Sequence, residues 1–136
     1  MKKRNIVARA GFIPYHIENG ELSVLMMKPS DPKYGGPDFQ IAKGHVDFGE
    51  DAKTAGLREA EEELGLRMCN VVAVLHLGNY LGNTEIYYGE VRDREDFGAP
   101  SYETGETRWM TFDQFFKTGR GIHKGVLNDL QSVLQV

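Results

Sequence analysis

The 136-residue chain is 40% hydrophobic and 26% charged with a formal net charge of −4, the make-up of one globular domain able to bury about two-thirds of its unfolded surface. No apolar run approaches the ~20 residues needed to cross a bilayer, so no membrane partner is expected. A single cysteine, Cys69, excludes an internal disulfide, and four scattered histidines (His16, His45, His76, His123) lack the spacing of a structural zinc site.

The opening MKKRNIVARAGFIPY is basic, but Arg9 and Pro14 interrupt what would have to be an apolar signal core. The expectation is a cytoplasmic protein whose basic start leads into a strand. Apolar and β-branched runs predict strands over Ile6–Ile13, Leu22–Met27, Phe39–Ala42, Val71–Leu77, Glu85–Val91 and Arg108–Met110. Asn19-Gly20 between the first two is a hairpin-turn dipeptide, and PSDPKYGGPD (Pro29–Asp38) is a Pro- and Gly-rich loop. One helix is predicted from Asp51 to Leu64, stopped by Gly65. Another covers His123–Leu134, with Val126, Leu127, Leu130, Val133 and Leu134 on one stripe. A short turn after Thr111 is capped by its hydroxyl. Many strands, few helices and short turns give an α+β sandwich in a single domain, 1–136, its helices covering a mixed sheet.

Charge is unevenly placed. Gly44–Leu66, GHVDFGEDAKTAGLREAEEELGL, holds seven acids against Lys53 and Arg58, a balance of −5, so the remainder of the chain carries +1. On a helix of ~100° per residue, with Ala52 at 0°, Glu59, Glu62 and Glu63 fall near 340°, 280° and 20°. Three carboxylates therefore share one face, while Gly56, Leu57, Ala60 and Leu64 form a separate apolar face. Like charges at i,i+3 and i,i+4 each cost a few tenths of a kcal/mol, and no lysine relieves them. Clustered hard oxygens of this kind suit Mg²⁺ or Mn²⁺. Gly44 and Gly49 permit a tight path before the helix, and a chain bent back at Gly49 lets Glu50 pair with Arg58, two helical turns on, and brace the loop.

Gly44, five residues, Glu50, seven residues, Arg58-Glu59-Ala60, one residue, Glu62-Glu63, one residue, Gly65-Leu66 resembles the signature of the Nudix hydrolases, nine fixed positions over 23 residues. Ala60 is a mild departure, because the family often has a larger aliphatic there. The resemblance implies the Nudix fold, a mixed sheet between helices, and hydrolysis of a nucleoside diphosphate linked to another moiety with Mg²⁺ or Mn²⁺. It implies Glu59, Glu62 and Glu63 as metal ligands and catalytic residues, the Gly44 carbonyl as a further ligand, and Glu50 and Arg58 as residues that brace them. Such ions neutralise bridging phosphates and lower the pKa of a bound water, whose proton a carboxylate takes. In SYETGETRWMTF, Glu103 stands six residues before Trp109, as in the diadenosine tetraphosphate hydrolase branch, which makes it a candidate base or ligand; Glu106 and Glu59 stay open as the base.

The form Lys43-Gly44-His45-Val46 resembles the branch acting on dinucleoside polyphosphates and diphosphoinositol phosphates, and Lys43 and His45 are candidates for contacting a long phosphate chain. Tyr87 and Tyr80 are candidates for stacking on a base, whereas Trp109 and Met110 are expected in the core. Marks of many ADP-ribose, NADH and coenzyme A pyrophosphatases are missing. Alternatives are an ADP-ribose, flavin dinucleotide or nucleotide-sugar pyrophosphatase, an RNA 5′ pyrophosphohydrolase using Lys28, Lys33, Arg92 and Arg94, or a nucleotide sensor without activity. The last should have lost metal ligands, and this segment has every one. The +1 balance outside it gives a nucleic-acid partner little support. Nudix enzymes often dimerise, but no exposed stripe demands a homodimer.

Overall fold

The computed structural model describes residues 8–134, so Ile6 and Val7 of the first predicted strand lie outside the described residues. The chain begins with a hairpin of β1 (Arg9–Glu18) and β2 (Glu21–Pro29), closed by Asn19 and Gly20 at φ 54° and 79°. Positive φ at both central residues is what the Asn-Gly pair supplies at low steric cost. There follow β3 (Lys43–His45), α1 (Ala52–Leu64), β4 (Leu75–Tyr80), β5 (Thr84–Glu90), β6 (Thr104–Met110), α2 (Phe112–Thr118) and α3 (Lys124–Leu134).

These strands form one sheet in the order β4-β5-β1-β2-β6, with β3 also on β1. β5 runs parallel to β1 from Arg9↔Thr84 to Tyr15↔Glu90, and the other pairings are antiparallel, so the sheet is mixed. β5 occupies one edge of β1 from Arg9 to Tyr15. The other edge is shared: Tyr15–Glu18 pair with β2, whereas Arg9–Gly11 pair with β3. β2 therefore leaves β1 halfway, and the segment before β3 fills the gap, bridged to β2 at Met27↔Gln40. This splay opens the cleft described below.

Side chains alternate across the strands. Phe12 and Leu25 face one core with Ala60, Leu64 and Leu66, the α1 side. Ile13, Val24 and Met26 face the other, with Phe115, Leu127 and Leu130 of α2 and α3. Each large side chain buried this way contributes about 1.5–3 kcal/mol. The α+β sandwich expected from the sequence is the fold observed.

α1 is set at both ends by its own sequence. Asp51 Oδ1 accepts from the Thr54 N–H at 2.7 Å, and Gly65 takes φ 75° while Gly65 and Leu66 N–H donate to the Glu61 and Ala60 carbonyls, a left-handed glycine ending. Thr111 and Gln114 form a reciprocal capping box at α2. α3 starts at Lys124, because Gly121–His123 form a 3-10 turn. Val133, expected on its apolar stripe, is half exposed.

Two predicted strands are corrected. Over Phe39–Ala42 all four residues are buried rather than alternately exposed; only single bridges form, Phe39 to Gly119 and Gln40 to Met27, and the regular strand starts at Lys43. The run Val71–Leu77 places its strand later, at Leu75–Tyr80, with Val71 held by a lone bridge to Val91. An exposed edge strand needs no continuous apolar run, so that run misplaced it.

Candidate active site

Glu59 and Glu63 do not lie on a face apart from the apolar one. Ala55 and Ala60, both fully buried, flank them on α1, which turns the two acids toward the sheet where β3 passes. The Glu59 side chain is only 12% exposed, whereas that of Glu62 is 51% exposed and turned to Arg58. Gly44 on β3 lies directly against the Glu59 carboxylate; a Cβ at Gly44 would overlap it. Glu63 Oε1 accepts from the Lys43 N–H at 3.2 Å.

Arg58 holds the loop between β3 and α1. Its guanidinium donates to both Glu50 oxygens at 2.9 and 3.1 Å, to the His45 carbonyl at 3.0 Å, to Glu59 Oε2 at 3.0 Å and to Glu62 Oε2 at 3.4 Å. The Asp47 N–H adds a further bond to Glu50 Oε1 at 3.0 Å. The Glu50–Arg58 brace expected from their spacing is present. Arg58 keeps the Glu50 carboxyl below the usual carboxylate range, with the Asp47 amide second, and Glu50 in turn holds the guanidinium charged.

The remaining pair is electrostatically incomplete. Burial pushes the Glu63 carboxyl up and the charge of Glu59 adds to the rise; burial also raises Glu59 in spite of Arg58. Two carboxylates here cannot both ionise without further positive charge. Among the described residues no three His, Cys, Asp or Glu side chains are already gathered as a metal-binding group. The donors present, two largely buried carboxylates against a glycine backbone that leaves no room for a side chain, nevertheless suit a hard divalent cation, which would supply the missing charge and prefers oxygen.

These groups open into a cleft of about 780 Å³. Of the residues singled out from the sequence, Lys43, Gly44, His45, Glu59, Glu63 and Glu103 line it together. The loop bearing Glu103 is tied on both sides. Ser101 N–H and Thr104 Oγ1 donate to the Glu62 and Glu63 carbonyls at the end of α1, and Ser30 donates to the Glu103 carbonyl through its N–H and Oγ. Glu106 instead pairs with Arg108 at 2.7 Å.

Tyr87 and Tyr80 are not brought to the cleft. Tyr87 packs beside His76, ring centroids 5.0 Å apart, on the α1 side of the sheet. Tyr80 donates from its hydroxyl to Asp129 Oδ2 on α3 at 2.9 Å and packs against the other core. The cleft has aromatics of its own, Tyr34 and Tyr102, 72% and 89% exposed. Arg9, Gln40 and Arg120 also line it. Sequence reasoning missed all five, although Arg9 had already stood out as a charge interrupting the apolar stretch after the basic start and Arg120 sits in the turn Gly119-Arg120-Gly121.

A family model described as the NUDIX domain matches residues 8–130. The chain is 30% identical over 117 residues to the asymmetrical bis(5′-nucleosyl)-tetraphosphatase of Rattus norvegicus, covering 80% of this chain and 77% of that one. It is 32% identical over 103 residues, 71% of its length, to the CMP-5′-(N-acetyl-N-hydroxy-3-aminopropyl)phosphonate hydrolase of Streptomyces rubellomurinus. For two curated relatives the chain spans half of their length or less, 50% in the Streptomyces case and 18% in the other. A crystal structure of a C. elegans Ap4A hydrolase binary complex has the same fold, with a TM-score of 0.75 and 22% identity over 96% of this chain and 98% of that one.

Proposed function

The chain belongs to the Nudix family, and we propose that it is a divalent-metal-dependent hydrolase of the phosphoanhydride in a dinucleoside polyphosphate such as diadenosine tetraphosphate. The observation that carries this reading is the convergence in one cleft of the Glu59–Glu63 pair and Gly44 with Lys43, His45 and Glu103. The rat relative, named for cleaving bis(5′-nucleosyl) tetraphosphates asymmetrically, supports the substrate class.

Nudix hydrolases generally use divalent metals. Glu59, Glu63 and the Gly44 backbone would hold such an ion, with Glu62 joining by turning away from Arg58. When bound, Mg²⁺ or Mn²⁺ neutralises phosphate oxygens and acidifies a coordinated water. Lys43 and His45 bind the phosphate chain from the β3 side of the cleft. Glu103 takes the proton of the attacking water as the new phosphorus–oxygen bond forms and the bridging bond breaks, the leaving phosphate departing as the product anion. Tyr34 and Tyr102 offer aromatic faces on which a base can stack.

The test is a panel of diadenosine tetraphosphate, ADP-ribose, flavin dinucleotide and 5′-triphosphorylated RNA, each with Mg²⁺ and with a chelator. The highest kcat/KM is expected for diadenosine tetraphosphate, with activity abolished by chelation. A preference for one of the other three would replace the substrate assignment, and undiminished activity in chelator would remove the metal.

A further inference from the structure

Three cations in the cleft are held without an ion pair among the described residues, although Glu63 and Glu59 act on Lys43 from farther off. They are Arg9, Lys43 and Arg120, all of which line it. Their order in the sheet explains how they meet. Arg9 pairs with His45 and Gly11 with Lys43, so Arg9 and Lys43 stand diagonally on one face while Gly44 turns to the other, toward Glu59. Gly11 provides the space, because a Cβ there would lie 2.8 Å from that of Lys43. Arg120 comes from the connection between α2 and α3. Its N–H donates to the Phe39 carbonyl at 2.8 Å and its Nη1 to Gln40 Oε1 at 3.0 Å. Gln40 is itself 5% exposed, and the Gly35 backbone closes over the Gln40–Arg120 contact. The guanidinium is thus held in place by a buried amide rather than by a carboxylate. Like charges held close are unfavourable: burial first, and Arg9 after it, depress the basicity of Arg120.

We propose that Arg9, Lys43 and Arg120, with Gln40 orienting Arg120, form a polyanion subsite that binds the substrate phosphates across β3 from Glu59 and Glu63 and favours bridges of three or more phosphates. The nucleotide part of this ligand rests on the hydrolase reading above; the anion subsite itself does not.

Two measurements separate the two. In chelator at low salt, inorganic tripolyphosphate is titrated calorimetrically into the wild-type protein and into Arg9→Gln, Arg120→Gln and Arg120→Lys. The wild type should bind, Arg9→Gln and Arg120→Gln should each weaken binding about tenfold, the loss of one charge-assisted contact, and Arg120→Lys should recover part of the loss. Arg9 makes no side-chain hydrogen bond among the described residues, so Arg9→Gln serves if Arg120→Gln fails to fold. No binding by the wild type, or equal binding by the folded Gln variants, overturns the subsite. In turnover, both Gln variants should raise KM for a dinucleotide bridged by four phosphates several-fold more than for one bridged by two; equal increases would overturn the preference for long bridges. Tripolyphosphate binding by a protein that cleaves no dinucleotide would keep the subsite and remove the hydrolase reading.

Discussion

Glu59 and Glu63 sit in a pocket where one guanidinium serves several acids, and Glu62 and Glu61 look outward from the same turn of helix. This makes four neighbouring glutamates unequal. Glu63→Gln and Glu59→Gln should each lower kcat by about 100-fold or more, because each would remove an anionic ligand from the cation that neutralises the phosphates and acidifies the water, and should weaken Mn²⁺ binding in calorimetry. Glu61→Gln should stay within about twofold in both. Wild-type turnover and Mn²⁺ affinity in Glu59→Gln and Glu63→Gln would contradict the metal site. Tyr102 and Tyr34 have the opposite character: they support no core, so Ala at either position should raise KM with little change in melting temperature. Base stacking is worth about 1–3 kcal/mol, which corresponds to roughly a five- to 150-fold rise in KM. An unchanged KM in both variants would place the base elsewhere.

At the scale of elements, the loop from His45 to Glu50 and the helix after it act as one piece because a single arginine joins them. Arg58→Lys keeps the charge but loses the fork that reaches Glu50, His45 and Glu59 together. At least a tenfold loss in kcat is expected, together with greater protease sensitivity of the 45–50 loop; a variant matching the wild type in both would make the brace dispensable. Much of this unit is legible in the sequence. The spacing of Glu50 and Arg58 and the glycine stop at Gly65 are local signals, and local signals survive folding. The orientation of the glutamates is less so. A helical wheel places Glu59 and Glu63 beside Gly56 and Ala60 equally well as a solvent face or as part of the packed side, and the passage of Gly44 over Glu59 decides it. The cleft itself follows from β1 exchanging β2 for β3 along one edge. That exchange depends on contacts between segments distant in sequence, so Arg120, Gln40 and Tyr34 carried no local mark of their shared position. The tyrosines of β4 and β5 show the converse: strand position alone cannot say which end or face of a sheet meets a ligand.

Across the whole molecule, the −4 net charge conceals a division of labour. Acids gather on the α1 side of β3, and Arg9, Lys43 and Arg120 gather on the other. Behind that cationic group lies His123, fully buried, its Nδ1 accepting from the Ile41 N–H at 3.1 Å and its Nε2 without a partner among the described residues. Burial first, then Arg120 and Lys43, pull its pKa down to about 3. The unfolded chain, with an ordinary histidine near ~6.5, therefore takes up this proton first as the pH falls. Stability from this group is complete above about pH 6.5 and declines by about 1.4 kcal/mol per pH unit below it until the folded pKa is reached. Urea midpoints at pH 7, 6 and 5 should fall more steeply for the wild type than for His123→Gln; parallel declines would mean that His123 charges as readily folded as unfolded. The central claim concerns the other side of the cleft, and the most direct measurement is to separate the products formed from diadenosine tetraphosphate and Mg²⁺ by the wild type and by Glu63→Gln. ATP and AMP in equal amounts from the wild type, with almost none from the variant, is the predicted result. Two ADP per substrate, no cleavage, or equal cleavage by the variant would contradict it.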